Sequence, residues 1–301
     1  MTAPLHGWIV IDKPYGLGST QAVGAIKRML REGGEAKTRV GHGGTLDPLA
    51  TGVLPIALGE ATKLAGRMLD SDKAYDFTLR FGEQTDTLDI EGKVVAESPV
   101  RPDEAAIRAV LSRFTGPIEQ MPPAFSALKV DGRRAYDLAR AGEEVTLKSR
   151  AVTIHALDLI ACEADSATFS AAVSKGTYIR SLARDIALAL GTVGHVTMLR
   201  RTKAGPFGLD RAIPLDKVQE AANDRALGQC VLPLTTGLDD IPALAVSPAE
   251  ALALRQGRVL AGNPRTVGLM LAMDGETPVA LVEGSDAGFQ PEIRVVRGFN
   301  L

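Results

Sequence analysis

Cysteine is almost absent. Cys162 and Cys230 are the only two in 301 residues, lie far apart and have no metal-ligand spacing. That excludes a disulfide scaffold and a structural zinc site, and it favours a reducing, cytoplasmic setting. No apolar run approaches the roughly 18–20 residues of a membrane span. The opening MTAPLHGWIVIDKP lacks the charged head and long apolar segment of a secretory leader. Internal repeats and low-complexity tracts are missing as well. Charge of one sign is also lacking: the formal net charge is −2, so the bulk composition does not announce a nucleic-acid binder.

What is present is a full hydrophobic complement, 45% against 23% charged residues, enough for one large domain or two unequal ones. The segment GWIVIDKPYG reads as a buried strand closed by a proline turn. Ser19 caps the helix expected next, with Val23, Ile26 and Leu30 on one face. A strand is expected at VLPIAL and a helix across EATKLAGRML. In KAYDFTLRFG, Tyr75, Phe77, Leu79 and Phe81 alternate with polar neighbours, as in a half-buried strand. Helices are expected near 103–114 and 134–141, and strands near 152–160 and 167–174. GTYIRSLARDIALALG is a strong helix with Ile179, Leu182, Ala183, Ile186 and Leu190 on its stripe and Gly191 at its stop. Beyond TTGLDDIPAL, Ser247-Pro248-Ala249-Glu250 forms a capping box, followed by three short strands. The irregular alternation of strands and helices argues for a mixed α/β (α+β) architecture with a small β-rich appendage.

Basic residues cluster locally. Lys27, Arg28, Arg31, Lys37 and Arg39 stand against Glu32 and Glu35, and Arg200, Arg201 and Lys203 follow without an acid between them. Each cluster alone reads as solvated surface; together they outline a track for phosphates.

Chemistry concentrates in GHGGTLDPLATG, Gly41–Gly52. Asp47 precedes a proline, which pushes it toward extended geometry, and glycines at 41, 43, 44 and 52 clear space around it. The plain structural reading is a helical-turn cap with Pro48 at the first position. A P-loop is excluded by the missing lysine-serine/threonine ending, and a paired-carboxylate glycosidase has no second acid nominated.

The longer run VGHGGTLDPLATGVLPIALGEATK resembles the signature of the TruB family, bacterial tRNA pseudouridine(55) synthases. DKPYG, DKAY, QTDTLDIEG, PPAFSALKVDGRRAYDLAR, SKGTYIRSLARD and HVTMLRR follow the family pattern in order, from about residue 7 to 205. One departure is Gly43, where the family usually has threonine. The resemblance implies a pseudouridine-synthase catalytic domain over 1–237, with a mainly antiparallel mixed sheet flanked by helices and a thumb-like insertion at about 124–150. It also implies a small PUA-like RNA-binding domain over 238–301. The implied reaction isomerises the T-arm uridine at position 55 of tRNA after flipping the nucleotide out of the stack. The resemblance makes Asp47 the catalytic nucleophile or base, Arg180 its partner, and Tyr75 a ring against the flipped uracil. His42 then fills the gap left by the nucleotide, and Tyr178 and Leu199 line the uracil pocket. It implies no cofactor, no metal, no membrane and no obligate protein partner, and a monomer in the cytoplasm with tRNA as its ligand.

Each of these residues also has an ordinary reading. Arg180 lies off the apolar stripe and reads as solvated, Tyr75 as a core aromatic and His42 as an exposed loop histidine. Tyr178 and Leu199 read as packing residues, Asp86 as a hairpin-loop acid, and Lys129, Arg133, Arg134 and Arg140 as the polar side of an amphipathic hairpin. Lys13 and Lys63 are left between structural and backbone-binding roles. Two rival functions are a non-catalytic RNA chaperone that keeps the pocket and a sugar hydrolase.

Overall fold

The alternation from Lys73 to Phe81 becomes a strand that lies near the middle of the main sheet. The structure, a computed structural model, describes residues 4–126, 128–130, 132–141, 143, 147–261, 267–286 and 291–301. Among them, ten strands form the main sheet. Its path runs Ile213–Pro214, Gly7–Lys13, Thr51–Leu58, Gly194–Ala204, Lys73–Phe81, Ser166–Val173, Arg150–Cys162 and Gly116–Gln120. Val40–His42 adds to Thr51–Leu58, and Phe207–Gly208 to Gly194–Ala204.

Two contacts along this path are parallel, Ile213–Pro214 with Gly7–Lys13 and Gly194–Ala204 with Thr51–Leu58. The rest are antiparallel, as expected from sequence. The second parallel contact is short, pairing only Arg200 with Thr51 and Arg201 with Gly52. Residues 194–199 therefore run on past the start of the neighbouring strand, and the sheet opens there into a cleft. Gly52 makes the close approach possible. It sits at φ +102°, and a Cβ there would fall 2.2 Å from the Arg201 carbonyl oxygen.

Side-chain periodicity distributes the core to both faces. Trp8 and Val10 enter one cluster while Ile9 and Ile11 enter another, so this strand is buried on both sides, consistent with its unbroken apolar run. Helix Ser19–Glu32 covers the second face with Ala22, Ile26, Met29 and Leu30. Helix Ile179–Ala189 lays Ile179, Leu182, Ala183 and Ile186 over Phe77, Leu79, Phe81 and Phe169. Gly191, at φ +73°, ends it as expected.

Two local expectations change. Ser19 is the first helical residue rather than the cap; the capping position is Gly18, whose N–H donates to Gln21 Oε1. EATKLAGRML splits into a 3-10 turn, Gly59–Leu64, and a short α-helix, Ala65–Asp70. The C-terminal segment forms its own five-stranded sheet in the order Ala243–Ala245, Gly268–Asp274, Thr277–Ser285, Glu292–Gly298 and Leu260–Ala261. The helix Pro248–Arg255 packs on it, started by the Ser247–Glu250 capping box. No described helix is long and apolar enough to cross a membrane.

Candidate active site

The cleft in the sheet is floored by Val196–Leu199 and walled by Asp47, Leu49 and Ala50 on one side and by Asp89, Ile90 and Arg180 on the other. Its water-accessible volume is only about 20 Å³, room for about one water, so as it stands the cleft is far smaller than a ligand pocket. Asp47 heads a single tight turn, its carbonyl accepting from Ala50 N–H at 3.1 Å, but among the described residues its carboxylate caps no main-chain N–H and lines the cleft instead.

Arg180 meets it there, Nη2 to Oδ2 at 3.0 Å. Far from being solvated, the Arg180 side chain is 9% exposed. Its other bonds go to Asp89 Oδ2 at 3.1 Å, the Thr87 carbonyl at 2.9 Å and the Phe125 carbonyl at 3.1 Å. A guanidinium with five fixed donors can hold that many acceptors at once, and an ammonium cannot.

Asp89 is therefore a second carboxylate in the cleft. The two acids differ in how they are engaged. Asp89 Oδ1 accepts from Thr87 Oγ1 at 2.6 Å and Glu91 N–H at 3.1 Å, its Oδ2 accepts from Arg180, and its side chain is 15% exposed. Among the described residues, the Asp47 carboxylate has only Arg180 as partner, and its side chain is 43% exposed. Asp89 is thus tied up as an anchor for the arginine, while Asp47 keeps one oxygen available to a ligand. A glycosidase needs both acids free to act, which this arrangement does not offer. Asp89 was missed from sequence. It stands three residues after Asp86, and only the hairpin's course separates them: Asp86 closes the hairpin by accepting from Lys93 N–H at 2.9 Å.

The other expected residues divide. Leu199 lines the cleft and packs against the core beneath it. Tyr75 is half-buried on the face shared with Phe77, packs on the same core and pairs in register with Arg201. It is not one of the residues lining the cleft as it stands. Tyr178 is at the N-terminus of the Arg180 helix, where Gln120 accepts from its N–H at 2.7 Å and donates to its carbonyl at 3.1 Å. The Arg150 guanidinium lies 4.6 Å from its ring centroid. Tyr178 therefore flanks the cleft and does not line it. His42 ends the strand Val40–His42, with Nδ1 accepting from Gly44 N–H at 3.4 Å. Burial, and then the Arg201 charge, lower its pKa and keep the ring neutral at ordinary pH.

Lys13 is fully buried and donates to the carbonyls of Pro14, Leu17 and Pro48. Burial lowers its pKa to about 8 against the opposing pull of Asp47. Lys63 donates to the Gly298 carbonyl at 2.8 Å and pairs with Glu60, so it holds the C-terminal segment. Gly43 stands where a Cβ would fall 2.7 Å from Met68 Cβ, which accounts for glycine at that position in this chain. Within the expected thumb, Lys129–Val130 and Arg133–Arg134 pair as a short hairpin before helix Ala135–Arg140. Arg133 binds Glu143 through two contacts, at 2.9 and 3.1 Å. The side chains of Lys129, Arg134 and Arg140 lie outside the described residues. Among the described residues, no cluster of His, Cys, Asp and Glu has the makings of a metal site.

Comparison with known proteins shows the family. The family model for the TruB family pseudouridylate synthase (N terminal domain) matches residues 27–179, and that for the tRNA pseudouridylate synthase B C-terminal domain matches 180–239. tRNA pseudouridine synthase B of Novosphingobium aromaticivorans is 61% identical over 302 residues, covering 99% of this chain and 98% of that protein. That of Zymomonas mobilis subsp. mobilis is 59% identical, covering 99% and 97%. Among solved structures, a chain in the crystal structure of a Cbf5-Nop10-Gar1 complex superposes with a TM-score of 0.75 at 26% identity, over 98% of this chain and 85% of that one. The fold is that of a pseudouridylate synthase, an isomerase that turns uridine into its C-linked isomer. Within that class the chain belongs to the TruB family, whose members act on tRNA.

Proposed function

We propose that this chain isomerises the T-arm uridine at position 55 of tRNA, with Asp47 as the reacting carboxylate. The observation that carries the reading is the Asp47–Arg180 contact at 3.0 Å in a cleft where, among the described residues, the half-exposed Asp47 side chain has Arg180 as its one partner. In the reaction the N1–C1′ bond breaks, the uracil turns, and a C5–C1′ bond forms. The C5 proton leaves and N1 gains one, so the reaction is balanced without a cofactor. An ionised Asp47 serves as nucleophile toward the sugar or the base, or as base toward the 2′ carbon. Arg180 aims the carboxylate through a charge-assisted contact, and the cleft, once opened around the nucleotide, retains the detached base and excludes water.

Leu199 and the rings of Tyr75 and Tyr178 are assigned to the flipped uracil, which requires side chains at the cleft mouth to reorganise around the substrate. His42 is assigned to the space the nucleotide vacates. A neutral imidazole stacks between bases without the cost of desolvating a charge, which supports this role. The segment 124–150 is assigned to T-arm recognition, and its base reaches the site directly through the Phe125 carbonyl on Arg180. Residues 1–237 are assigned to the catalytic domain and 238–301 to a PUA-like RNA-binding domain. The enzyme is assigned to the cytoplasm as a monomer.

The test is incubation of the purified protein with unmodified tRNA transcript, followed by base-resolved mapping of pseudouridine. Conversion is expected at the single T-arm uridine. Asp47→Asn is expected to bind tRNA with little change and to convert none. Multiple turnover by a verified Asn protein would falsify the role of Asp47, and modification elsewhere in tRNA would overturn the choice of site.

A further inference from the structure

The turn that delivers Asp47 makes almost no bonds within itself; among the described residues it is held by groups far away in sequence. On its entry side, the Arg201 guanidinium donates to the carbonyls of Thr45 at 3.1 Å and Gly44 at 3.5 Å, and it is itself tied to the Val53 carbonyl of the following strand at 2.7 Å. On its exit side, the Pro48 carbonyl accepts from Lys13 Nζ at 3.1 Å and Gly16 N–H at 2.9 Å. Between them stands Leu46, whose two main-chain groups both go to one side chain. Its N–H donates to Ser19 Oγ at 2.8 Å, and its carbonyl accepts from the same hydroxyl at 2.9 Å. Ser19 is buried at the start of helix Ser19–Glu32, and the apolar face of that helix is locked in the core.

A hydroxyl carries one proton and two lone pairs, so a single Ser can receive an N–H and donate to a C=O at once. The Leu46 carbonyl belongs to the peptide that joins Leu46 to Asp47. Fixing both ends of Leu46 fixes the plane of that peptide and hence the direction in which Asp47 leaves the main chain. Buried serine has no other evident use here: it does not cap its helix, and both of its side-chain hydrogen bonds go to Leu46.

We propose that Ser19 is a positioning residue for the isomerisation, acting through the Leu46 peptide to aim the Asp47 carboxylate at the substrate. The proposal rests on the reading of Asp47 as the reacting group. Ser19 is buried and its hydroxyl bonds Leu46, not the Asp47 side chain, so its loss should act on the chemical step and not on tRNA capture.

The experiment compares Ser19→Ala with Ser19→Thr, which keeps the hydroxyl. Single-turnover conversion at saturating tRNA, tRNA affinity, and hydrogen exchange of the Leu46 amide are measured on each folded protein. Ser19→Ala is expected to lower the single-turnover rate by about 10- to 100-fold, the scale of a slightly misplaced reacting group. Affinity should stay within about twofold, a change worth less than half a kcal/mol. The Leu46 amide should exchange faster while protection across the helix 19–32 is kept. Ser19→Thr should retain most of the rate and of the Leu46 protection. If Ser19→Ala does not fold, Ser19→Cys fills the same space with weaker hydrogen bonds and should show the same pattern in smaller measure. A folded Ala or Cys variant with full rate overturns the proposal. So does equal rate loss in Thr and Ala, or lost affinity with the rate intact. Amide exchange is read without turnover, so an inactive wild type would count against the proposed function, whereas unchanged Leu46 exchange in Ser19→Ala would count against the clamp.

Discussion

At the residue scale, the site is a contest among three charged side chains, and hydrogen-bond saturation resolves it. Asp89 spends its acceptors on Thr87, Glu91 and Arg180, and Asp47 spends its on Arg180 alone. The neighbouring arginine on the same helix gives the control. Arg184 bonds Asp185 at 2.8 Å and the Met121 carbonyl at 3.1 Å, and does not reach Asp47. Arg180→Met is therefore expected to slow conversion far more than Arg184→Met. Charge-assisted bonds contribute about 1.5–3 kcal/mol, which is roughly 10- to 100-fold or more in rate when expressed in the transition state. Single-turnover assays of the two folded variants check this, and equal mild losses would sink it. Asp47 was legible because glycines and a following proline mark it in one short stretch. Arg180 and Asp89 were not legible from residue patterns: helical periodicity places Arg180 on the polar side. Only the hairpin and the thumb base close over it and make that side interior.

At the scale of elements, side-chain cations finish what short secondary structures leave open. Helix Ala65–Asp70 is too short to satisfy its own C-terminal carbonyls, and buried Lys73 donates to those of Met68 at 2.9 Å and Leu69 at 2.7 Å. Burial, aided by Arg201, lowers the Lys73 pKa to about 8 from 10.5. Between those two values the unfolded chain holds the proton that the folded protein has already released. Stability contributed by this group therefore rises with pH across that window. Below about pH 8 both states are protonated and the group adds no slope. Lys73→Met removes the proton altogether, so its denaturation free energy should climb less steeply than that of the wild type from pH 8 upward. Parallel curves from chemical denaturation at several pH values would refute the assignment. The strands at 73–81 and 166–173 and the helix at 179–189 were readable because each alternates or repeats against one core face. The Gly59–Asp70 segment was not readable to the same level, since tight turns at a strand exit depend on what the chain packs against.

At the scale of the whole molecule, the two sheets share a core. Phe299, 2% exposed, lies in one cluster with Trp8, Val10, Leu64, Met68, Leu271 and Leu281. Asn300 N–H donates to Glu60 at 2.8 Å, Lys63 donates to Gly298, and Arg67 pairs with Asp240 across the same junction. Phe299→Ala should therefore cost about 3–5 kcal/mol, as large aromatic truncations in packed cores do. The loss should be seen by the single tryptophan, Trp8, buried in that cluster. Denaturation followed by Trp8 fluorescence tests it, and an unmoved Trp8 transition would show that the C-terminal sheet melts on its own. Sequence by itself determined the elements, the family and the loop that bears Asp47, because hydrophobic period, caps and a long motif are local in the chain. Only the tertiary structure decided which carboxylate stays free, that Arg180 is buried, that Ser19 clamps Leu46 and that the C-terminus plugs the first sheet. Each of these joins residues tens to hundreds of positions apart, and their hydrogen bonds and contacts exist only once the sheet has brought distant strands side by side.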